Sequence, residues 1–300
     1  VYKRQDILIL FYNTMWGFPL EFRKEDLPGG CVITTDRNLI AKADAVVFHL
    51  PDLPSVMEDE IDKREGQLWV GWSLECEENY SWTKDPEFRE SFDLWMGYHQ
   101  EDDIVYPYYG PDYGKMLVTA RREKPYKKKA CMFISSDMNR SHRQEYLKEL
   151  MQYTDIDSYG KLYRNCELPV EDRGRDTLLS VIGDYQFVIS FENAIGKDYV
   201  TEKFFNPLLA GTVLVYLGAP NIREFAPGEN CFLDICTFDS PEGVAAFMNQ
   251  CYDDEALYER VYAWRKRPLL LSFTKKLEQV RSNPLIRLCQ KIHELKLGGI

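Results

Sequence analysis

From residue 130 onward, short apolar runs and amphipathic segments alternate regularly, and few folds other than a parallel sheet wound on both faces can absorb that beat. The pattern predicts strands at 130–135, 156–159, 187–191, 212–217 and 231–235. Between them it predicts helices at 141–153, 175–184 and about 199–210, and one opened by Ser240-Pro241-Glu242. Two further amphipathic helices, 253–265 and 284–297, close the chain.

The first third carries strand-like runs at 6–12, 31–34, 44–50 and 67–74, with a short helix at 38–42. Residues 121–129, where seven of nine are charged, read as a linker. At 300 residues, 45% of them hydrophobic, the chain is long enough for two cores. The expected organisation is a first domain over 1–120, a linker over 121–129, a second domain over 130–275 and a C-terminal helix over 276–300.

Composition excludes several classes of function. A net charge of −11 leaves no broad basic face for a phosphate backbone, so nucleic acid is not an expected partner. No run reaches 18 apolar residues, and no secretory leader is visible at 1–5. The basic final helix, with Arg287, Lys291 and Lys296, offers at most a weak peripheral membrane contact. Eight scattered cysteines without a C-x-x-C pair read mainly as reduced, buried thiols, although an even number leaves pairing open. The expectation is a bacterial cytoplasmic protein, with a Golgi lumenal ectodomain as the alternative.

The chemistry concentrates in 187–205, Phe-Val-Ile-Ser-Phe-Glu-Asn-Ala-Ile-Gly-Lys-Asp-Tyr-Val-Thr-Glu-Lys-Phe-Phe. A buried strand delivers Glu192 and Asn193 to its carboxyl edge, where open α/β sheets bind ligands. Gly196 permits a loop, Asp198 can cap, and a helix starts near Tyr199 with its N–H groups offered to a diphosphate. Glu202 suits a ribose diol and Lys203 a departing phosphate. The competing interpretation is a pair of solvated residues in a first helical turn.

Phe191-Glu-Asn, Asp198-Tyr-Val-Thr-Glu-Lys203, Ala210-Gly-Thr-Val-Leu-Val-Tyr-Leu-Gly-Ala-Pro220 and Phe225-Ala-Pro resemble the signature block of the α1,3/4-fucosyltransferases, glycosyltransferase family 10. Phe133-Ile-Ser-Ser, Arg143-Gln-Glu-Tyr146, Asp157-Ser-Tyr-Gly160 and Phe92-Asp-Leu-Trp-Met-Gly-Tyr98 extend the resemblance, which covers about 65–240. It implies an α/β fold of GT-B type, two Rossmann-like domains facing across a cleft. It also implies inverting transfer of L-fucose from GDP-β-L-fucose to a GlcNAc or glucose hydroxyl of a lactosamine or lactose glycan. The product would be α1,3-linked, of Lewis x or 3-fucosyllactose type.

The resemblance assigns Arg143 and Lys203 to the diphosphate and Glu202 to the ribose. Tyr159, Glu192, Asn193 and Tyr199 are assigned to other parts of the GDP-sugar. The family's general base lies in a Glu-Ser-Pro motif; here Ser73-Leu-Glu75-Cys-Glu-Glu78 keeps Glu75 and replaces Ser and Pro, with Glu77 and Glu78 as rivals. A GT-B transferase with another donor and an inactive glycan-binding module are the alternatives.

No metal site or cofactor is required, with Mn²⁺ or Mg²⁺ at most stimulating. Asp155-Ile-Asp157 spells a D-x-D, but it lies within the Asp-Ser-Tyr-Gly block. The four histidines lack metal spacing, and His99 alone is a candidate sugar contact. Trp69 and Trp72, three apart on a strand, point to opposite faces. Trp16, in the loop after the first strand, is the freer candidate for acceptor contact.

Overall fold

The computed structural model describes residues 6–57, 61–120 and 128–297. The chain divides into two compact units. The first runs up to Pro111 and takes in the segment from Gln279 onward; the second is Asp112–Glu278. Most of the expected linker, residues 121–127, lies outside the described residues.

In the first unit, β1 (Ile7–Phe11), β2 (Cys31–Thr34), β3 (Ala45–His49), β4 (Leu68–Ser73), β5 (Leu94–Gly97) and β6 (Ile104–Val105) form one parallel sheet in the order 2-1-3-4-5-6. These runs are rich in Val, Ile and Leu, as strands buried on both faces require. The short helices α1 (Leu53–Val56) and α2 (Pro86–Glu90) follow β3 and β4. One face packs Phe11, Val47 and Trp72 against Leu285, Leu288 and Ile292 of the C-terminal helix Pro284–Leu297. The other face gathers Leu10, Val46 and Phe48 with Trp69, Phe92 and Trp95. Trp69 and Trp72 therefore do serve opposite faces.

Cys31 on β2 and Cys289 on the C-terminal helix are joined by a disulfide. This corrects the expectation of reduced thiols for these two; Cys76, Cys131, Cys231 and Cys251 are free and buried. The helix's cations turn onto their own unit. Arg287 donates to the Val105 carbonyl (2.5 Å), Lys291 meets Asp103 (3.6 Å) and Lys296 meets Asp44 (3.9 Å). The basic residues proposed for membrane contact are thus engaged internally.

In the second unit α3 (Tyr113–Thr119) precedes β7 (Lys128–Met132), α4 (Arg143–Leu150), β8 (Asp157–Ser158), α5 (Arg175–Ile182), β9 (Tyr185–Phe191), α6 (Glu202–Ala210), β10 (Val213–Leu217) and β11 (Phe232–Asp234). Then come α7 (Pro241–Asp253), capped by Ser240 as expected, α8 (Glu255–Tyr262) and α9 (Leu271–Gln279). The sheet order is 11-10-9-7-8, again all parallel. Read from its second strand, this is the 2-1-3-4-5 winding of the first unit. Each sheet therefore reverses direction once, between β1 and β3 and between β7 and β9, and a crevice opens outside the carboxyl ends at such a switch point.

Candidate active site

In the second unit the switch point lies where β9 ends at Phe191. Glu192, the next residue, is fully buried. One of its carboxylate oxygens accepts from the Thr201 N–H and the other from the Thr201 hydroxyl, both at 2.8 Å. Thr201 in turn caps α6, its hydroxyl accepting from the Lys203 N–H. The loop from 192 to 201 is thus closed by one carboxylate, and the helix begins at Glu202 rather than near Tyr199.

The early start fails because Asp198 adopts a left-handed φ of 64° and is bound away from the helix. Its N–H donates to Asn221 Oδ1 (2.9 Å), and its carboxylate accepts from Asn221 Nδ2 (2.8 Å). Asp198 therefore pins the loop to the segment after β10, and the cap is Thr201. Gly196 needs no left-handed φ.

Lys203 gathers the charge of this corner. Its Nζ lies 2.9 Å from Glu202, 3.1 Å from the Thr201 hydroxyl and 3.5 Å from Glu192. Burial works against the ammonium, but Glu192 and then Glu202 outweigh it, and the Lys203 pKa is raised. Burial pushes the Glu192 acid upward, with Lys203 opposing. Glu202 is held below the usual carboxylate range, because Lys203 overcomes its desolvation. The side chains of Lys203 and Glu202 remain 26% and 48% exposed, so both can meet a ligand. Beside them is a cavity of about 90 Å³ lined by Phe133, Ser190, Asn206 and Pro207, into which Ser190 brings a buried hydroxyl without a hydrogen-bond partner.

Arg143 is placed differently from its expected role. It is fully buried in the first turn of α4, donating to the carbonyls of Phe191 (3.0 Å) and Ser136 (2.8 Å). Its charge is fixed at the end of β9 and its Nε makes no hydrogen bond. Asn193 and Tyr199 are joined to each other, the phenol donating to Asn193 Oδ1 at 3.2 Å. Tyr159 is further back, its hydroxyl 2.7 Å from that of Tyr185 and its ring stacked on Phe133. Tyr185 also donates to Asp157 (2.5 Å), so this half of the D-x-D is engaged by a phenol. Among the described residues no cluster of three metal-ligating side chains occurs.

In the first unit Glu75 follows the carboxyl end of β4. A Ser73 hydroxyl clamps its backbone, accepting from the Glu75 N–H and donating to its carbonyl, both at 3.1 Å. Glu77 and Glu78 lie further along the same loop. Glu77 accepts from the Tyr98 phenol and lies 3.2 Å from His99 Nε2; despite burial, these neighbours bring its pKa down to about 2. Glu78 pairs with Lys84. His99 is therefore tied to Glu77. Sequence reasoning missed Thr201, whose signal was a capping residue directly before Glu-Lys, and the cluster of Asn13, His49 and Asp52 at the end of β3.

The glycosyltransferase family 10 (fucosyltransferase) C-terminal model matches residues 123–297, and the fucosyltransferase N-terminal model matches residues 4–109. The chain belongs to glycosyltransferase family 10.

Among family relatives, human GDP-fucose protein O-fucosyltransferase 3 is 35% identical over 140 residues, 45% of this chain and 29% of the relative. Mouse 4-galactosyl-N-acetylglucosaminide 3-alpha-L-fucosyltransferase 9 is 32% identical over 248 residues, covering 79% of this chain and 64% of the relative. The chain thus spans less than two thirds of the length of these relatives. A solved alpha1,3-fucosyltransferase with GDP-fucose superposes with a TM-score of 0.63 at 14% identity, over 96% of this chain and 90% of that one. The likeness shows the α/β GT-B-type fold with two parallel sheets. No helix among the described residues is long and apolar enough to cross a membrane.

Proposed function

We propose that this family 10 chain transfers L-fucose from GDP-β-L-fucose to a glycan hydroxyl with inversion, forming an α1,3 link to a lactosamine or lactose acceptor. The observation that carries the reading is Lys203, partly exposed in the first turn of α6, its charge maintained by Glu192 and Glu202. A helix N-terminus and an ammonium there suit a diphosphate that gains charge as the glycosidic bond breaks. Glu202 suits the ribose diol. Arg143 adds a fixed positive charge from behind, while Glu192, Asn193, Tyr159 and Tyr199 hold the seat in shape.

Glu75 acts as general base, taking the proton of the acceptor hydroxyl as it attacks the anomeric carbon; such help is typically worth about 10²–10⁴ in rate. The donor is a substrate, and no resident cofactor or metal enters these steps. The relative that matches 248 residues is named for acting on a 4-galactosyl-N-acetylglucosaminide, and an alignment of that length extends beyond the second unit, which favours a lactosamine acceptor. The Cys31–Cys289 disulfide supports an oxidising lumen, such as the Golgi, over a reducing cytoplasm.

The test is GDP release from GDP-fucose with and without N-acetyllactosamine or lactose, followed by NMR of the product linkage. Acceptor-dependent release and an α1,3 product are expected. Release from another GDP-sugar in preference to GDP-fucose would overturn the donor assignment.

A further inference from the structure

The two sheets share one winding but differ in width. In the first unit β6 lies beside β5 as a sixth strand, whereas among the described residues of the second unit no strand lies on the outer side of β11. The register fixes which groups face that side. The Glu192 N–H donates to the Leu217 carbonyl, so Leu217 turns its peptide groups toward β9, and by alternation Leu214 and Tyr216 turn theirs toward β11. Leu214 is opposite Phe232 and Tyr216 opposite Asp234, so the peptide groups of Leu233, between them, bond back to β10. Those of Phe232 and Asp234 point outward, as at any open sheet edge. The Asp234 carbonyl meets the Thr237 hydroxyl at 2.7 Å, which leaves the Phe232 N–H and carbonyl and the Asp234 N–H offered along the edge.

A cavity of about 690 Å³ lies along this edge, lined by all three residues of β11. Phe232 sets its ring against Phe204 and Tyr216, whereas Leu233 belongs to the core under α7 and α8, so the cavity reaches both faces of the sheet. Half-buried Phe247 on α7 and Leu257 on α8 give it an apolar wall. Two exposed cations border it, Arg223 after β10 and Arg260 on α8, and among the described residues neither forms an ion pair. The acids of the lining are engaged: Glu229 lies 3.6 Å from Arg267, and the Asp234 carboxylate accepts from the Cys236 N–H at 3.0 Å. The charge left over is positive, on a chain whose net charge is −11.

We propose that this edge takes an extended acidic peptide of a partner protein as a sixth strand. The Phe232 N–H and carbonyl and the Asp234 N–H bond to the peptide's main chain, as strand addition requires. Its apolar side chains fit against Phe247 and Leu257, and its carboxylates meet Arg223 and Arg260 at the margins. A small anion would satisfy the two guanidinium groups but leave the strand edge and the apolar wall uncovered. All of these residues belong to the second unit, and the site does not depend on the fucosyl-transfer reading.

The test uses the full chain and an acetylated, amidated hexapeptide that alternates valine and glutamate. Calorimetry compares it with a hexapeptide alternating valine and lysine, and with the acidic peptide N-methylated throughout, which keeps the charge and removes the strand's donors. Hydrogen exchange follows the Phe232 and Asp234 amides. The acidic peptide should bind at least about tenfold more tightly than either comparison, the equivalent of about 1.4 kcal/mol, and should slow exchange at both amides. The double variant Arg223→Glu, Arg260→Glu changes two exposed positions and should reverse the preference between the two charges. If its melting temperature falls, the N-methylated peptide against the wild type decides. Absence of binding to the wild type, equal affinity for the acidic and basic peptides, or unchanged exchange at both amides overturns the proposal. Binding that survives N-methylation but falls with charge reversal marks an anion site and overturns the sixth strand.

Discussion

The Glu192 carboxylate closes on Thr201 through two hydrogen bonds of 2.8 Å, one from the main chain and one from the hydroxyl. Thr201→Val removes the hydroxyl and leaves a buried acceptor unsatisfied, which costs about 1–3 kcal/mol. Urea unfolding should show that loss, and GDP affinity should fall with it because α6 loses its cap.

Lys203→Ala should weaken GDP binding by about tenfold or more, the worth of a hydrogen bond to a charged group. It also leaves Glu192 buried without its counter-charge, so the thermal midpoint should drop. Wild-type GDP affinity in calorimetry would remove Lys203 from the diphosphate.

Glu75→Gln should lose about 10²-fold or more in turnover while GDP affinity is retained. The same substitution at Glu77 should act mainly on stability, since that carboxylate is fixed by Tyr98 and His99. Turnover that collapses in Glu77→Gln and persists in Glu75→Gln, with both variants folded, would exchange their roles.

Two carboxyls near the end of β5 impose opposite pH dependences. Burial raises Asp102 to about 6, so the folded state holds that proton more tightly than the unfolded chain; its contribution is complete below about 3.8 and disappears as pH rises through about 6. Glu77, down at about 2, contributes above about 4.5 and loses that contribution as pH falls through about 2. Asp102→Asn should therefore raise the melting temperature more at pH 7.5 than at pH 4. Glu77→Gln should lower it at pH 7 and by less near pH 2.

A methyl group on Gly218 would land 2.6 Å from the Glu192 side chain and clash with the Tyr216 phenol. Gly218→Ala should cost about 1–3 kcal/mol by overpacking and reduce GDP affinity through the displaced Glu192. Unchanged urea midpoint and GDP affinity would show that the corner yields without consequence.

Much of this architecture is legible in the sequence because strands buried on both faces are written as continuous apolar runs. Cys31–Thr34 and Pro284–Leu297 have the predicted limits, and Ser240 caps where a Ser-Pro-Glu start requires. The two-residue strand Ile104–Val105 carries too few side chains to show a period. The Cys31–Cys289 bond joins residues 258 apart and leaves no local trace. At the candidate site, the residue types point to an anion seat, but sequence cannot tell a charge that meets a ligand from one that braces the chain. The Lys203 side chain stays 26% exposed, whereas Arg143, also a cation, is fully buried and turned inward onto the Phe191 and Ser136 carbonyls. That distinction depends on which carbonyls the β9 terminus leaves unpaired, a tertiary fact.

Because Leu285, Leu288, Cys289 and Ile292 complete one face of a sheet whose first strand begins at Ile7, that sheet has no finished hydrophobic cover until the segment from residue 284 has left the ribosome. Emerging at about 5–20 residues per second, the nascent polypeptide can assemble its inserted second unit while the earlier strands still await their last helix. The unit begun before the other is thereby sealed after it, and a stop codon before residue 284 would strand it uncovered.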